Sequence, residues 1–318
     1  ISIRGGEEGA FAAEKGADML EFLTDGLRAA LLHCNLNKVY ELRVRAGKPV
    51  VCNYGGAYTY LGARGVCPRA GGALTASVSD IEQIISRASE YSVYSVTEQL
   101  RQGFLTGAGG ERIGLAGVFV YEGGESFAVR DVTSLNIRVP HEVIGCADAI
   151  FRRCFSAGLC SVLVLSPPGR GKTTILRDLA RQIGGGGIVN ILLSDERGEI
   201  SAANRDFSLD VGACTDVIRF SGKKDALTAA VRAMRPDLII TDEVVSASEI
   251  EALAACVRGG VAVVASAHCK DAAALLASPV FARAAEEKLF DYYVQLSSQG
   301  VGQVEQIFDA ALAPVGTC

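Results

Sequence analysis

The residues of this chain whose types and spacing could do chemistry start at Lys172 and Thr173. Ser166, Pro167, Pro168, Gly169, Arg170 and Gly171 precede them, and Thr174 follows. A glycine-rich turn followed by lysine and a hydroxyl residue suits a polyphosphate. Backbone N–H groups wrap the anion, the lysine reaches its β- and γ-phosphates, and the hydroxyl sits on Mg²⁺. The full pattern G-x-x-x-x-G-K-[ST] has glycine where this chain has Ser166. Serine is small enough for such a turn, and Gly169 adds local freedom.

Three further sets of residues could complete a phosphoryl-transfer site. Asp242 and Glu243 close an apolar run about 70 residues beyond the loop. Asp242 fits the carboxylate that holds Mg²⁺ through water, and Glu243 fits the base that takes a proton from the attacking water. Asp195 and Glu196 end the run 191–193, where they either orient water or metal or belong to a solvated charge cluster. His268 follows the apolar run 263–267 and can sense a γ-phosphate; His33 and His141 are expected to be structural.

These residues need elements to hold them. Residues 161–165 read as a buried strand and 172–183 as an amphipathic helix, which is the context a phosphate-binding loop requires. Apolar runs recur at 162–165, 188–193, 238–241 and 261–266, with helical patterns between them at 172–183, 225–234, 248–257 and 271–276. Such alternation predicts a parallel α/β sheet with ligands at the carboxyl ends of its strands. Short edge strands are expected at 294–296 and 304–308, and 204–224 reads as a loop-rich insertion.

The first 140 residues differ. A helical stripe spans 17–32, and strands are expected at 39–44, 50–53 and 57–61, with Arg43 and Arg45 opposite Leu42 and Val44. Residues 62–72 read as loop. Ser79 to Glu82 resembles a capping box, and Ser95 opens a second, shorter helix. Strands follow at 104–106, 112–121 and 126–129, and 131–139 leads toward the second domain. The expectation is a smaller α+β domain over 1–140 and a phosphate-loop domain over 141–318.

Composition excludes several classes. At 318 residues, 49% hydrophobic and 21% charged, the chain is globular rather than disordered. Its apolar runs fall short of the ~18 residues of a membrane span, and no basic-headed leader is evident. A net charge of −5 without like-charge blocks argues against a nucleic-acid partner. Ten scattered cysteines without C-x-x-C point to no metal site and to a reducing, cytoplasmic setting.

The order of these motifs resembles the stage III sporulation protein AA family, ATPases related to the type II and type IV secretion ATPases. The resemblance runs through the phosphate loop, Asp195-Glu196-Arg197, residues 230–237, Asp242-Glu243 and the stretch 265–268. It continues in Tyr91 to Tyr94 with Glu98, 110–117 and 134–138, and covers roughly 18–310. It implies a RecA-like motor of the P-loop (AAA) type, hexameric, hydrolysing ATP with Mg²⁺ beside membrane proteins of a secretion-like sporulation channel. In such ATPases the first domain contributes arginines to the nucleotide, which singles out Arg112 and Arg138. Arg177, Arg181, Arg232 and Arg235 lie away from where the phosphates would be. Two rival readings stand beside it. One is a nucleic-acid-handling RecA-type motor, for which Gly222-Lys223-Lys224 is the modest basic candidate. The other is a non-catalytic nucleotide switch, against which Glu243 argues.

Overall fold

The computed structural model describes residues 20–90, 96–101, 103–122, 125–196, 198–202, 208–219, 227 and 231–316. They form an α/β protein of two compact units, one reaching to His141 and the other starting at Glu142, Ser208 aside.

The first unit is built on a seven-stranded sheet. Its strands are β1 (Val39–Arg45), β2 (Val51–Tyr54), β3 (Ala57–Gly62), β4 (Gly65–Cys67), β5 (Phe104–Thr106), β6 (Arg112–Glu122) and β7 (Glu125–Arg138), in the order β4-β3-β2-β1-β7-β6-β5. Every neighbouring pair is antiparallel. The expected alternation holds in β1: Leu42 and Val44 are fully buried while Arg43 and Arg45 stay partly open on the other face. The apolar face packs with α1 (Asp25–Leu31) and α2 (Val78–Glu90) through Leu27, Leu31, Ile81 and Ile84. A short helix α3 (Val96–Arg101) precedes β5.

Four sequence readings change here. The helix expected over 17–32 is helical only over Asp25–Leu31 within the described residues. The stretch 62–72 is not all loop, because β4 pairs with β3. The two expected segments 126–129 and 131–139 are one long strand, β7, with register shifts against β6 that absorb the polar break. The capping residues of α2 lie earlier than read: Ser77 N–H and Oγ each donate to the Asp80 carboxylate at 2.7 Å, and Asp80 N–H donates back to Ser77 Oγ at 3.1 Å. Those bonds hold the Asp80 carboxyl below its usual range against the opposing effect of burial.

The second unit carries the predicted parallel sheet. Its strands are β8 (Val162–Leu165), β9 (Ile191–Asp195), β10 (Thr215–Arg219), β11 (Leu238–Glu243), β12 (Ala262–Ala267), β13 (Tyr292–Leu296) and β14 (Val304–Asp309). The order is β10-β9-β11-β12-β8-β13-β14, with only the β13–β14 pair antiparallel. A sheet covered on both faces needs apolar residues on both sides of each central strand. Accordingly, Leu163 and Leu165 of β8 pack into one core, while Val162 and Val164 pack into the other. Helices α4 (Asp148–Cys154) and α5 (Lys172–Gly185) contribute to the second of these cores. Helices α6 (Ala247–Arg258), α7 (Ala272–Ala277) and α8 (Pro279–Glu286) contribute to the first.

The expected edge strand 294–296 is interior, since β13 lies between β8 and β14. The insertion 204–224 contains a strand, β10, at the sheet edge. Its alternation was hidden by Thr215 and Asp216, polar residues tolerated on an edge. Half of the helical reading of 225–234 falls outside the described residues; the described half, 227 and 231–234, is helical. Among the described residues, no helix is long and apolar enough to cross a membrane.

Candidate active site

The phosphate-type loop leaves the buried tip of β8 and enters α5 through Gly171, whose φ of +87° is open to glycine at little cost. A Cβ there would also stand 3.0 Å from Gly302 N and 3.2 Å from Val301 Cγ1. The β13–β14 turn thus closes on the loop, with Gly302 N–H donating to Arg170 O at 2.9 Å. Gly169 has φ +73°. Ser166 is not among the left-handed residues, so the position where the usual pattern has glycine does not require it. Its N–H donates to Ala267 O at 3.3 Å, which ties the loop to the tip of β12.

No side chain caps the start of α5. By contrast, α6 opens with a capping box in which Ser246 Oγ accepts from Glu249 N and the Glu249 carboxylate accepts from Ser246 N at 2.8 Å. Helix starts without protein caps keep their N–H groups for an anion. Thr173 and Thr174 lie on this first turn.

Lys172 is 7% exposed and bends back over its own loop. Its ammonium donates to Ser166 O at 2.9 Å and to Pro167 O at 3.1 Å, and lies 2.8 Å from His268 Nδ1. Burial lowers its pKa from the ordinary 10.5 to about 8, opposed by the charge of Glu243. On the other side of the imidazole, His268 Nε2 lies 3.2 Å from Glu243 Oε2. With Lys172 donating to Nδ1, the network assigns the imidazole proton to Nε2, directed at the carboxylate.

A bulge explains how consecutive acids both serve this end of the sheet. Thr241 pairs with Ala265 but Glu243 pairs with Ser266, so Asp242 is the extra residue of β11. A bulge re-aims side chains that would otherwise alternate between faces. Thr241 Oγ1 is buried with no hydrogen-bond partner, next to Ser194 in the register of β9. The hydroxyl of Thr173 and the carboxylate of Asp242 are hard oxygen donors of the kind Mg²⁺ takes. Among the described residues, no three His, Cys, Asp or Glu side chains gather into a metal cage.

The other sequence candidates are placed differently. Asp195 is fully buried and its carboxylate accepts from Glu199 N, Ile200 N, Ser201 N and Ser201 Oγ at 2.7–3.2 Å. It organises the turn after β9. Glu196, the next residue, is exposed. Arg112 and Arg138 stand in the first unit, directly opposite each other on β6 and β7. The Arg112 guanidinium lies 4.2 Å from the centroid of the Phe104 ring. Arg197, Tyr91 to Tyr94 and Gly222-Lys223-Lys224 lie outside the described residues. Sequence reasoning missed the Val301–Gly302 contact. The glycines at 300 and 302 marked a turn, but nothing local tells which distant backbone a turn meets.

Known proteins resemble this chain in sequence and in fold. The family model described as Sporulation stage III, protein AA matches residues 13–313. Stage III sporulation protein AA of Bacillus subtilis (strain 168) is 34% identical over 279 residues, covering 86% of this chain and 87% of that protein. Among solved structures, the Yersinia pseudotuberculosis ATPase DotB matches with a TM-score of 0.56 at 18% identity, over 86% of this chain and 76% of that one. The pilus retraction motor PilT with bound ADP matches at a TM-score of 0.54 and 16% identity, over 82% and 75%. These two likenesses are of fold. With the match running along nearly the whole sequence, the chain belongs to the sporulation stage III, protein AA family.

Proposed function

We propose that this chain is a Mg²⁺-dependent ATPase with a RecA-like motor domain, acting as a hexameric ring. In this reading it is cytoplasmic, recruited by membrane proteins, and powers a secretion-like channel complex in endospore formation. The observation that carries the reading is the chain of contacts Lys172–His268–Glu243 over an uncapped helix start. It joins a phosphate-seeking cation to a carboxylate base through a neutral imidazole. Family membership supports the sporulation setting, and the DotB-like and PilT-like fold supports the motor.

The chemistry follows from the residues. The N–H groups of 169–173 and the start of α5 bind the β- and γ-phosphates, and Lys172 exchanges its loop carbonyls for phosphate oxygens. Thr173 and Asp242 would hold Mg²⁺, which neutralises charge on the phosphates when bound. Glu243 accepts a proton from the attacking water. His268 loses its Lys172 partner when the lysine turns to the phosphates, and its Nε2 proton stays with Glu243; this couples site occupancy to the base. Glu196 is assigned a secondary role in orienting water. Arg112 or Arg138 supplies the further cation on the γ-phosphate, by closure of the first domain or from a neighbouring subunit.

Phosphate release measured with and without Mg²⁺, in wild type and Lys172→Ala, tests the reading. Turnover that needs both the ion and the lysine supports it. Metal-independent or lysine-independent turnover rejects it.

A further inference from the structure

Arg177 lies on the second turn of α5, beyond Lys172, and Asp195 closes β9. Both are buried, at 6% and 0% exposure, and they carry opposite charges. The turn that leaves β9 runs between them. Arg177 Nε donates to Ile200 O, and its Nη2 donates to Glu199 O at 2.6 Å. On the other side, the Asp195 carboxylate accepts from Ile200 N at 3.2 Å and from Ser201 N at 2.8 Å. Glu199 O and Ile200 N belong to one peptide group, and Ile200 O and Ser201 N belong to the next. Two successive peptide groups therefore each span from the guanidinium to the carboxylate. Their dipoles lie along the field between the two charges, and all four bonds are charge-assisted.

The turn is fixed at its ends as well. Gly198 N–H donates to Asp195 O at 3.2 Å, and Gly198 has φ +67°. Ala202, 2% exposed, takes φ +47°. A left-handed alanine is costly and persists where its surroundings determine the backbone. Because Ser194 pairs with Thr241, the turn starts level with Asp242 and Glu243. Glu196, at its head, is exposed.

We propose that Arg177 is a positioning residue: it ties the turn carrying Glu196 to the helix that begins with Lys172, and so sets where Glu196 stands beside the phosphate site. The proposal rests on the phosphoryl-transfer reading above. Arg177 works through the turn, where its Nε and Nη2 are engaged. A buried ion pair costs more to desolvate than apolar side chains of similar volume. What this pair supplies is a fixed place for the turn. Asp195 alone would hold it to β9; Arg177 holds it to α5 as well. A lysine could not do the same, because an ammonium lacks the planar fork that spans two adjacent carbonyls.

A double-mutant cycle on the full chain tests this, with wild type, Arg177→Met, Glu196→Gln and the double variant. For each, kcat is measured with Mg²⁺ and ATP, and ATP affinity is measured by calorimetry. Arg177→Met should lower kcat about 10–100-fold, the effect of misplacing a reacting group by about 1 Å, and leave affinity within about twofold. The double variant should be no slower than Glu196→Gln alone, because the carboxylate that Arg177 places is already gone. A residue that merely supports the fold would slow both backgrounds by the same factor. Arg177→Lys, which keeps the charge but not the fork, should recover part of the rate, and it takes the place of Arg177→Met in the cycle if that variant does not fold. Equal loss of affinity and kcat, losses that multiply in the double variant, or wild-type kcat in either single variant would each overturn the positioning role and leave the phosphate site standing. Absence of ATP turnover in wild type would overturn the phosphoryl-transfer reading and the positioning role together.

Discussion

Lys172 Nζ lies 2.8 Å from His268 Nδ1, joining the helix after β8 to the tip of β12 across 96 residues of sequence. In this arrangement the lysine is held by protein groups, Ser166 O, Pro167 O and His268 Nδ1. The contact yields the first predictions.

Lys172→Ala should lower nucleotide affinity roughly 10–100-fold, the worth of a hydrogen bond to a charged group, and abolish turnover. The unfolding midpoint should change little, because the cost of burying the amine disappears along with its bonds. Binding of a fluorescent ATP analogue beside a thermal melt checks both halves. Near-normal turnover would reject the loop assignment.

His268→Ala should separate binding from chemistry. Without the imidazole, Lys172 loses a competing partner, so nucleotide affinity stays the same or rises while turnover falls. A large drop in the unfolding midpoint with turnover intact would show His268 to be a packing residue instead.

Glu243→Gln keeps the shape and removes the base. Nucleotide affinity should persist and single-turnover hydrolysis should slow about 10²–10⁴-fold. An equal loss of affinity and rate would make Glu243 a structural residue or a metal ligand.

The depressed pKa of Lys172 makes nucleotide binding proton-linked. As pH rises through about 8 the unliganded lysine loses its proton, whereas bound phosphate favours the ammonium. Binding above pH 8 therefore takes up a proton, and affinity falls by up to about tenfold per pH unit. The unliganded fold has the opposite dependence. Between about 8 and the ordinary 10.5 the unfolded chain binds more protons, so stability rises with pH in that window and the gain is lost as pH falls back through about 8. Calorimetry at pH 9 in two buffers of different ionisation enthalpy measures the uptake. Lys172→Arg should abolish it, and its absence from wild type would contradict the linkage.

Arg112 and Arg138 are like charges directly opposite each other on neighbouring strands, an arrangement that costs stability. Arg138→Ala should therefore leave the melting midpoint unchanged or slightly higher. If either arginine completes the site, its loss should cut turnover by as much as 10³–10⁵-fold with nucleotide binding intact. Partial rescue on mixing with Lys172→Ala subunits would place the arginine in trans. Wild-type turnover in both single variants and the double would end the assignment.

Local chemistry in the sequence was enough for the second unit's parallel strands, the phosphate loop between β8 and α5, and the acids closing β11. Buried parallel strands must be apolar on both faces, and Gly-Lys-Thr between strand and helix is a short-range pattern that needs no distant partner. The same locality concealed the rest. Ser77 rather than Ser79 caps α2, because either serine has an acid three residues on and only the backbone path selects one. The bulge at Asp242, the meeting of Lys172 with His268, and the closure of Gly302 on Arg170 depend on how strands far apart in sequence lie in register. Asp195 reads in sequence like Asp242, an acid ending an apolar strand. The tertiary structure separates them, because the Asp195 carboxylate is spent on the N–H groups of its own turn. Sequence named the residue types able to do the chemistry; the sheet register, which no local pattern encodes, decided which of them converge.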